Sequence, residues 1–284
     1  MAQEKNHILN SVFTRTMLKK CLLFERNDVL NYFADKYELQ SKTNNEIFEY
    51  LYKVMKNNYR NEYYYKNTLL NKLLLGVHSV RTTTALAELP IANSKADFIL
   101  INGKAVVYEI KTELDNIERL ENQIYDYYKA FNYVAVVTCE NNLESIINLI
   151  RRMNKPVGLY CLRKNGAIGL ILKPLPYNDM LNINVVFNIL RKNEYEDILK
   201  KYYKYLPKVS SFTYYSECKK MFLKLPLDSI YSDFLQILKK RIKVDESNLK
   251  TIPYEIRYLA YFSELKENDY FSLHSFLAQK CGGV

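Results

Sequence analysis

The chain has 284 residues, of which 48% are hydrophobic, and a formal net charge of +10, so it can bury one large or two ordinary cores and its charge favours a polyanionic partner. No apolar run approaches the roughly 18 residues that cross a membrane, the three histidines are too dispersed for a zinc site, and the seven glycines form no P-loop or dinucleotide-binding fingerprint. Five scattered cysteines without a Cys-x-x-Cys pair predict reduced thiols in a cytoplasmic protein.

The chain begins with a region of predicted helices. Apolar residues at helical spacing indicate two short helices within residues 8–38, and Asn27 or Asp28 is a suitable cap for the second. A polar break separates them from two further helices, the second of which begins at Glu62. We interpret residues 1–42 as an N-terminal helical element.

Two apolar runs on either side of Asn102-Gly103 predict a buried β-hairpin. Asp97 opens the first run, whereas Glu109 and Lys111 end the second. Side chains on a strand alternate between its faces, so Glu109 and Lys111 share one face. A two-residue turn would send Asp97 to the opposite face. We predict a three-residue loop, Ile101-Asn102-Gly103 with Gly103 left-handed, which pairs Asp97 with Val107 and brings it to the same face.

The three charged residues predict a metal site. Charged side chains on a strand that is buried on both faces are costly unless they bind something. Asp97 and Glu109 would lie diagonally, at roughly 7–8 Å between Cα atoms, where they can hold one divalent ion. An isolated trio of this kind is otherwise a surface salt bridge.

The next segment predicts a helix over about residues 116–131. Asp115 and Glu118 form a capping-box pattern, and apolar residues follow at helical spacing. Gln123 lies within this apolar stripe, and Tyr127 lies one turn further on. Gln123 is either a satisfied core amide or a polar tip that reaches into the neighbouring site.

Asp97, then Glu109-Ile110-Lys111, then Gln123-x-x-x-Tyr127 resembles the motif of the PD-(D/E)xK nuclease superfamily, and the glutamine and tyrosine helix is similar to that of RecB-type exonuclease domains. Ala96 stands where many members have proline, but the carboxylate is retained. The resemblance implies an α/β fold with a mixed central sheet flanked by helices, a restriction-endonuclease-like core, over residues 43–176.

The same resemblance implies roles for these residues in metal-dependent DNA hydrolysis. Asp97, Glu109 and the Ile110 carbonyl would ligate Mg²⁺ or Mn²⁺. Lys111 would orient the attacking water or stabilise the charge of the transition state. Gln123 and Tyr127 would position a ligand water or the substrate backbone.

One further carboxylate is expected at the metal, because superfamily members often carry a glutamate on a helix before the sheet. Glu62 fits this position, although a glutamate at a helix start is also a partner of the helix dipole. Glu88, on the expected first strand, is the second candidate.

The remaining strands and helices complete the predicted core. Residues 133–138 predict a strand parallel to the second hairpin strand, and a helix, another strand and a second hairpin follow. Pro174-Leu175-Pro176 marks a domain boundary. Residues 177–284 predict an all-helical C-terminal domain.

Basic residues are concentrated in one part of this helical region. Residues 200–243 contain eleven basic and three acidic residues, a net charge of +8, with tyrosines interleaved. Such a run is either a solvated face or a nucleic-acid surface. The candidates for phosphate contacts are Lys200, Lys201, Lys204, Lys219, Lys220, Lys239, Lys240 and Arg241.

The function that these features favour is a metal-dependent nuclease acting on DNA, with a helical C-terminal region that contacts the substrate or a protein partner and no membrane association. A catalytically inactive nucleic-acid- or protein-binding module on a nuclease-like fold is the alternative. A third possibility is a helical interaction protein in which the motif arises by chance.

Overall fold

A six-stranded mixed sheet lies at the centre of the protein. The structure is a computed structural model that describes residues 8–281. The strands lie in chain order across the sheet, with antiparallel pairs at both edges and parallel pairs β3–β4 and β4–β5 between them. The α/β class with a mixed sheet flanked by helices is therefore confirmed. The strands are β1 (Thr84–Ile91), β2 (Ser94–Asn102), β3 (Lys104–Lys111), β4 (Tyr133–Thr138), β5 (Gly158–Leu162) and β6 (Ile168–Leu172).

Helices precede, connect and follow the strands. Residues 8–12 are helical. Before the sheet come α1 (Arg15–Leu22), α2 (Asp28–Lys36), α3 (Asn44–Asn58) and α4 (Glu62–Leu69), which continues into a π-helical turn (Leu70–Leu74). The parallel strands are connected by α5 (Leu120–Tyr128) and α6 (Leu143–Met153). After the sheet follow α7 (Ile183–Ile189), α8 (Lys192–Tyr203), α9 (Ser211–Phe222), α10 (Leu227–Lys239), α11 (Glu246–Thr251), α12 (Arg257–Phe262) and α13 (Glu267–Ala278).

Short 3₁₀ turns lie at Glu140–Asn142 and Tyr254–Ile256. Within residues 8–281, no helix combines the length and the apolar character that crossing a membrane requires. Asn27 caps α2 as predicted, because its side chain accepts a hydrogen bond from the Leu30 N–H.

The sheet separates two hydrophobic cores. Phe98 and Tyr108 face the first core, which contains α1–α4 and α11–α13, whereas Ile99 and Val107 face the second, which contains α5–α10. Both faces of the central strands are buried, as their continuous apolar runs predicted. Between residues 177 and 281 the regular elements are helices, as expected, but these helices are divided between the two cores and cover both faces of the sheet.

The hairpin register differs from the predicted one by two residues. Ile99 pairs with Val107, and the ladder continues to Asn102↔Lys104, so Gly103 alone lies at the apex, with φ +69°. The prediction that Asp97 pairs with Val107 is therefore wrong. A shift of two residues keeps the parity, since side chains alternate with a period of two. Asp97 accordingly lies on the face shared by Glu109 and Lys111, as predicted.

The helix that follows β3 begins later than predicted. The Asp115 carboxylate accepts hydrogen bonds from the backbone N–H and the hydroxyl of Thr112, at 2.8 and 2.7 Å, and so closes a turn directly after β3. The capping box between Asp115 and Glu118 is therefore absent, and α5 starts at Leu120. An aspartate competes for nearby backbone donors in turns as readily as at helix caps, which is why the pattern was misleading.

Candidate active site

A cleft of about 1270 Å³ opens between the N-terminal helices and the sheet. Four residues that the sequence marks as site candidates line it: Glu62 on α4, Glu88 on β1, Asp97 on β2 and Gln123 on α5. The N-terminal helices, which no motif connected with the site, contribute one of its walls. The other lining residues that bear on function are Thr14, Arg15, Lys66, Asn93, Ser94, Lys95, Arg119, Asn122, Tyr125, Lys129 and Tyr258.

Three carboxylates meet at this cleft. Glu62, Glu88 and Asp97 each offer one oxygen, and these oxygens lie within 4.8 Å of one another. Within residues 8–281, no other three acidic, histidine or cysteine side chains come together in this way. The two glutamates that the sequence left as alternatives therefore both lie beside Asp97.

The backbone of β1 aims Glu88 into this cluster. The ladder between β1 and β2 pairs Ala87 with Phe98 and Leu89 with Ala96, so Glu88 stands opposite Asp97 without a ladder pair. Glu88 adopts φ +56°, a left-handed conformation that is uncommon for a residue other than glycine. Such irregularities often re-aim a side chain at a functional site.

A second group forms around Glu109, which is 1% exposed. Its Oε1 accepts from the Lys111 ammonium at 2.8 Å and from the Gln123 amide, and the Tyr127 hydroxyl donates to Oε2. Lys111 also donates to Gln123 Oε1 at 2.9 Å. Gln123 is therefore a polar tip that reaches into the site, and not a core amide. The spacing of the motif thus correctly grouped these four side chains.

Asp97 lies between the two groups. Its Oδ2 accepts a hydrogen bond of 2.8 Å from the backbone N–H of Ile110. Burial, with a further contribution from the negative charge of Glu109, raises the pKa of Asp97 well above its ordinary value. Burial also raises the pKa of Glu109, against the opposing effect of the Lys111 ammonium.

The geometry changes which carboxylates are best placed to share an ion. The sequence paired Asp97 with Glu109, but the oxygens of Glu109 already accept from Lys111, Gln123 and Tyr127. The carboxylates that form a cluster with Asp97, with one oxygen of each within 4.8 Å of the others, are Glu62 and Glu88. Coordination by the Ile110 carbonyl remains a prediction, because the contact that the structure shows runs through the Ile110 N–H.

Lys66 is a site residue that the sequence did not reveal. It follows Glu62 by one helical turn, and its ammonium forms ion pairs with both Glu62 and Glu88. Its side chain is only 8% exposed. The one available signal was a lysine inside the otherwise tyrosine-rich, buried stretch Tyr64–Leu69.

The basic segment 200–243 is partly neutralised. Arg241 forms hydrogen bonds to Glu194 and to the Ile189 carbonyl, and its side chain is only 7% exposed. The prediction that Arg241 contacts phosphate is therefore wrong, because its guanidinium is already bound to the Ile189 carbonyl at the end of α7 and to Glu194 on α8. Lys201 is paired with Asp233, and Lys220 with Glu217. The remaining candidates are Lys200, Lys204 and Lys240, which are exposed, and Lys219 and Lys239, which are half-buried.

The family model for Bacteriophage P4 protein cII matches residues 55–255, which is more than half of the chain. The chain belongs to the phage P4 cII family. The matched range begins before Glu62 and includes all site residues described above except Arg15 and Thr14 on α1 and Tyr258 on α12. Protein cII of Enterobacteria phage P4 is 28% identical over 123 residues, which are 42% of this chain and 46% of that relative. The alignment thus spans about half of the relative, and no solved structure gives a significant match.

Proposed function

We propose that this member of the family is a Mg²⁺- or Mn²⁺-dependent nuclease that hydrolyses DNA phosphodiester bonds in the cleft. The observation that carries the proposal is the meeting of Glu62, Glu88 and Asp97 within 4.8 Å, beside the buried Glu109–Lys111 pair. The resemblance of the motif to PD-(D/E)xK nucleases supplies the reaction class. Cleavage of DNA in particular rests on that resemblance.

The donor set fits a hard divalent cation. All three converging side chains offer carboxylate oxygen, the ligand that Mg²⁺ and Mn²⁺ prefer. Burial and the charge of Glu109 raise the pKa of Asp97 despite the opposing effect of the Lys66 ammonium, so its ionised form is only partly compensated from within the chain. Asp97, Glu88 and Glu62 would hold the ion, with Glu109 behind them. A bound ion of this kind lowers the pKa of a water and offsets negative charge on the phosphoryl group.

We further propose that Lys111 acts on the reacting water or phosphoryl oxygen. An ammonium has three N–H donors, and Lys111 directs two of them to Glu109 and Gln123. Gln123 lies at the cleft and is itself oriented by the Glu109 carboxylate. The buried pair thus presents a positive group in a fixed orientation, which is the arrangement that stabilises developing negative charge.

The rim of the cleft supplies cations for the phosphate backbone of DNA. Arg15, Arg119, Lys95 and Lys129 line it around the acidic cluster. Arg15 and Arg119 are exposed, and neither forms an ion pair with residues 8–281. Guanidinium groups bind phosphate oxygens with a planar pair of donors. We therefore place the main DNA path in the cleft, with the exposed lysines of segment 200–243 as a second contact region.

The alternative is a catalytically inactive nucleic-acid- or protein-binding module. One observation favours it: Lys66 gives Glu62 and Glu88, and Lys111 gives the buried Glu109, a counterion from within the chain. The helices of the C-terminal region offer a surface for a protein partner, since Phe212 on α9 is 95% exposed. We place either activity in the cytoplasm, because Cys21, Cys139, Cys161 and Cys218 are buried free thiols, as suits a reducing compartment.

The decisive experiment is cleavage by the purified protein. Linear, nicked and single-stranded DNA, and an RNA of the same sequence, are incubated with Mg²⁺, with Mn²⁺ and with EDTA. We expect cleavage of DNA that requires the metal and disappears in Asp97→Asn. Binding of DNA without cleavage of any substrate in either metal would instead support the binding module.

A further inference from the structure

Lys66 contacts two of the three carboxylates of the cluster. It lies on α4 one turn after Glu62, and its ammonium contacts both Glu62 and Glu88. These are two of the three carboxylates proposed to hold the metal. The lysine therefore provides, from within the chain, the positive charge that a divalent ion would bring.

Lys66 lies in a buried part of its helix. Every residue from Tyr64 to Leu69 is buried, and Lys66 also lines the cleft. Because a lysine side chain is ordinarily charged at neutral pH, Lys66 places a positive charge against two carboxylates.

Lys95 is the natural comparison. It also pairs with Glu88, through the other carboxylate oxygen, and its side chain is 58% exposed. It can swing away into water at little cost, since exposed ion pairs contribute little. The two lysines contact the same glutamate, but only Lys66 is confined inside the cluster.

We propose that Lys66 is an internal counterion that holds the Glu62–Glu88–Asp97 cluster together in the metal-free protein and competes with the divalent ion for it. The inference rests on the proposed function. Three carboxylates within 4.8 Å of one another repel, and an ammonium between two of them offsets that repulsion. A divalent ion must displace the ammonium, which then faces the phosphate in the cleft.

Competition predicts a direction of change in metal affinity that a purely structural lysine would not produce. Removing the charge of Lys66 should tighten metal binding, because the ion no longer displaces a favourable contact. It should also lower the stability of the metal-free protein, because the carboxylates then repel one another without a compensating positive charge. By thermodynamic reciprocity, the Lys66 ammonium and the divalent ion each lower the other's affinity for the cluster by the same factor. Factors of about 5 to 150 are usual for such coupling.

The test is a calorimetric titration of chelator-treated full-length protein with Mn²⁺ alone. Lys66→Met removes the charge and keeps an unbranched side chain, whereas Lys66→Arg keeps the charge, and Lys95→Met is the matched control at the exposed site. We expect Lys66→Met to bind Mn²⁺ about tenfold tighter than wild type, Lys66→Arg to match wild type, and Lys95→Met to change less. Without metal, Lys66→Met should melt at a lower temperature than wild type, and Mn²⁺ should restore it.

The outcomes separate this inference from the proposed function. If wild type binds Mn²⁺ and Lys66→Met binds it equally or more weakly, Lys66 is a structural lysine and the inference is overturned, while the nuclease proposal stands. If neither protein binds the ion, both are overturned. Binding that appears only in Lys66→Met supports the inference. Lys66→Gln, which can still hydrogen-bond a carboxylate, replaces Lys66→Met if circular dichroism shows that the methionine variant does not fold, and the same direction is expected.

Discussion

Asp97 is a half-buried carboxyl group whose contribution to stability depends on pH. Its pKa is raised in the folded protein by burial and by the nearby Glu109, so the folded state holds the proton at pH values where the unfolded chain has already lost it. The contribution of this group to stability is therefore present below the ordinary pKa of aspartate, and it is lost as the pH rises through the folded pKa.

From this we expect Asp97→Asn to stabilise the metal-free protein at pH 8 and to have a much smaller effect at pH 4.5. The gain at the higher pH should be of the order of 1 kcal/mol, the equivalent of about one pKa unit. Urea melts in EDTA at both pH values measure it. The same variant should lose Mg²⁺-dependent cleavage, and an asparagine variant that cuts at the wild-type rate would exclude Asp97 as a ligand.

Variants of Lys111 and of the acidic residues should differ in their effect on metal binding. Lys111→Ala removes a donor for negative charge but no ligand, so we expect a loss of roughly 10²-fold or more in cleavage rate with Mn²⁺ affinity largely kept. Glu109→Gln should also abolish cleavage, since it leaves the Lys111 ammonium without its buried counterion. Parallel calorimetry and cleavage assays test this, and a Lys111→Ala protein of normal activity would contradict the assigned role.

The Tyr127 hydroxyl is one of the hydrogen-bonding links between helix α5 and the sheet. Tyr127 is fully buried, and its Oη lies 2.9 Å from the Lys95 carbonyl on β2 and also donates to Glu109 on β3. The neighbouring Tyr128 is equally buried, yet its hydroxyl meets no hydrogen-bond partner among the described residues. Two adjacent tyrosines on one helix thus provide a matched comparison.

We predict that Tyr127→Phe destabilises the protein by about 1–2 kcal/mol, because it leaves buried acceptors without a donor. Tyr128→Phe should be neutral or slightly stabilising, because it removes a hydroxyl that was buried without a partner. Denaturant unfolding of the two variants is the measurement. Equal destabilisation would show that the hydrogen bonds of the Tyr127 hydroxyl contribute no more to stability than the unpartnered hydroxyl of Tyr128.

At the scale of the whole molecule, the elements that carry the site depend on the C-terminal helices. Asn67 on α4 is fully buried and donates to the Tyr254 carbonyl at 2.9 Å, while its Oδ1 accepts from the backbone N–H of Tyr258 at 3.1 Å. These contacts fix the helix that presents Glu62 and Lys66. The C-terminal region is therefore part of the support of the site.

It follows that residues 43–176 alone should not fold as a stable domain, because both faces of their sheet are covered by helices from outside that range. The exposed apolar surface would favour aggregation. Circular dichroism and a thermal melt of the fragment, beside the full chain, test this. A soluble fragment with a cooperative melt would show that the predicted domain boundaries describe an autonomous core.

The DNA path through the cleft can be distinguished from one along segment 200–243. Arg15→Glu and Arg119→Glu should weaken DNA binding and flatten its dependence on salt, by about one unit of slope for each phosphate that the variant no longer binds. Lys200→Glu and Lys204→Glu should have smaller effects. Fluorescence anisotropy over a salt series, in EDTA to prevent cleavage, gives the slopes. A larger effect from the two lysines would relocate the main DNA-binding surface to the C-terminal region.

The sheet and the local site motif follow from the sequence. Continuous β-branched runs must be buried on both faces, and the Asn102-Gly103 signal must turn the chain, so β2 and β3 followed from local chemistry. The grouping of Glu109 and Lys111 followed from alternation along one strand, and that of Gln123 and Tyr127 from the spacing of one helix. Each of these inferences spans only a few residues.

The sequence does not reveal which carboxylates meet, because Glu62, Glu88 and Asp97 come from three elements whose approach depends on packing. The tertiary structure placed Lys66 inside the cluster and Arg15 on the cleft wall, and it turned Arg241 into a buried ion-pair residue. The sequence does not reveal where a charged side chain points, because that depends on how its helix or strand packs. The periodicity of a helix indicates which face is apolar, but not which partner will cover it.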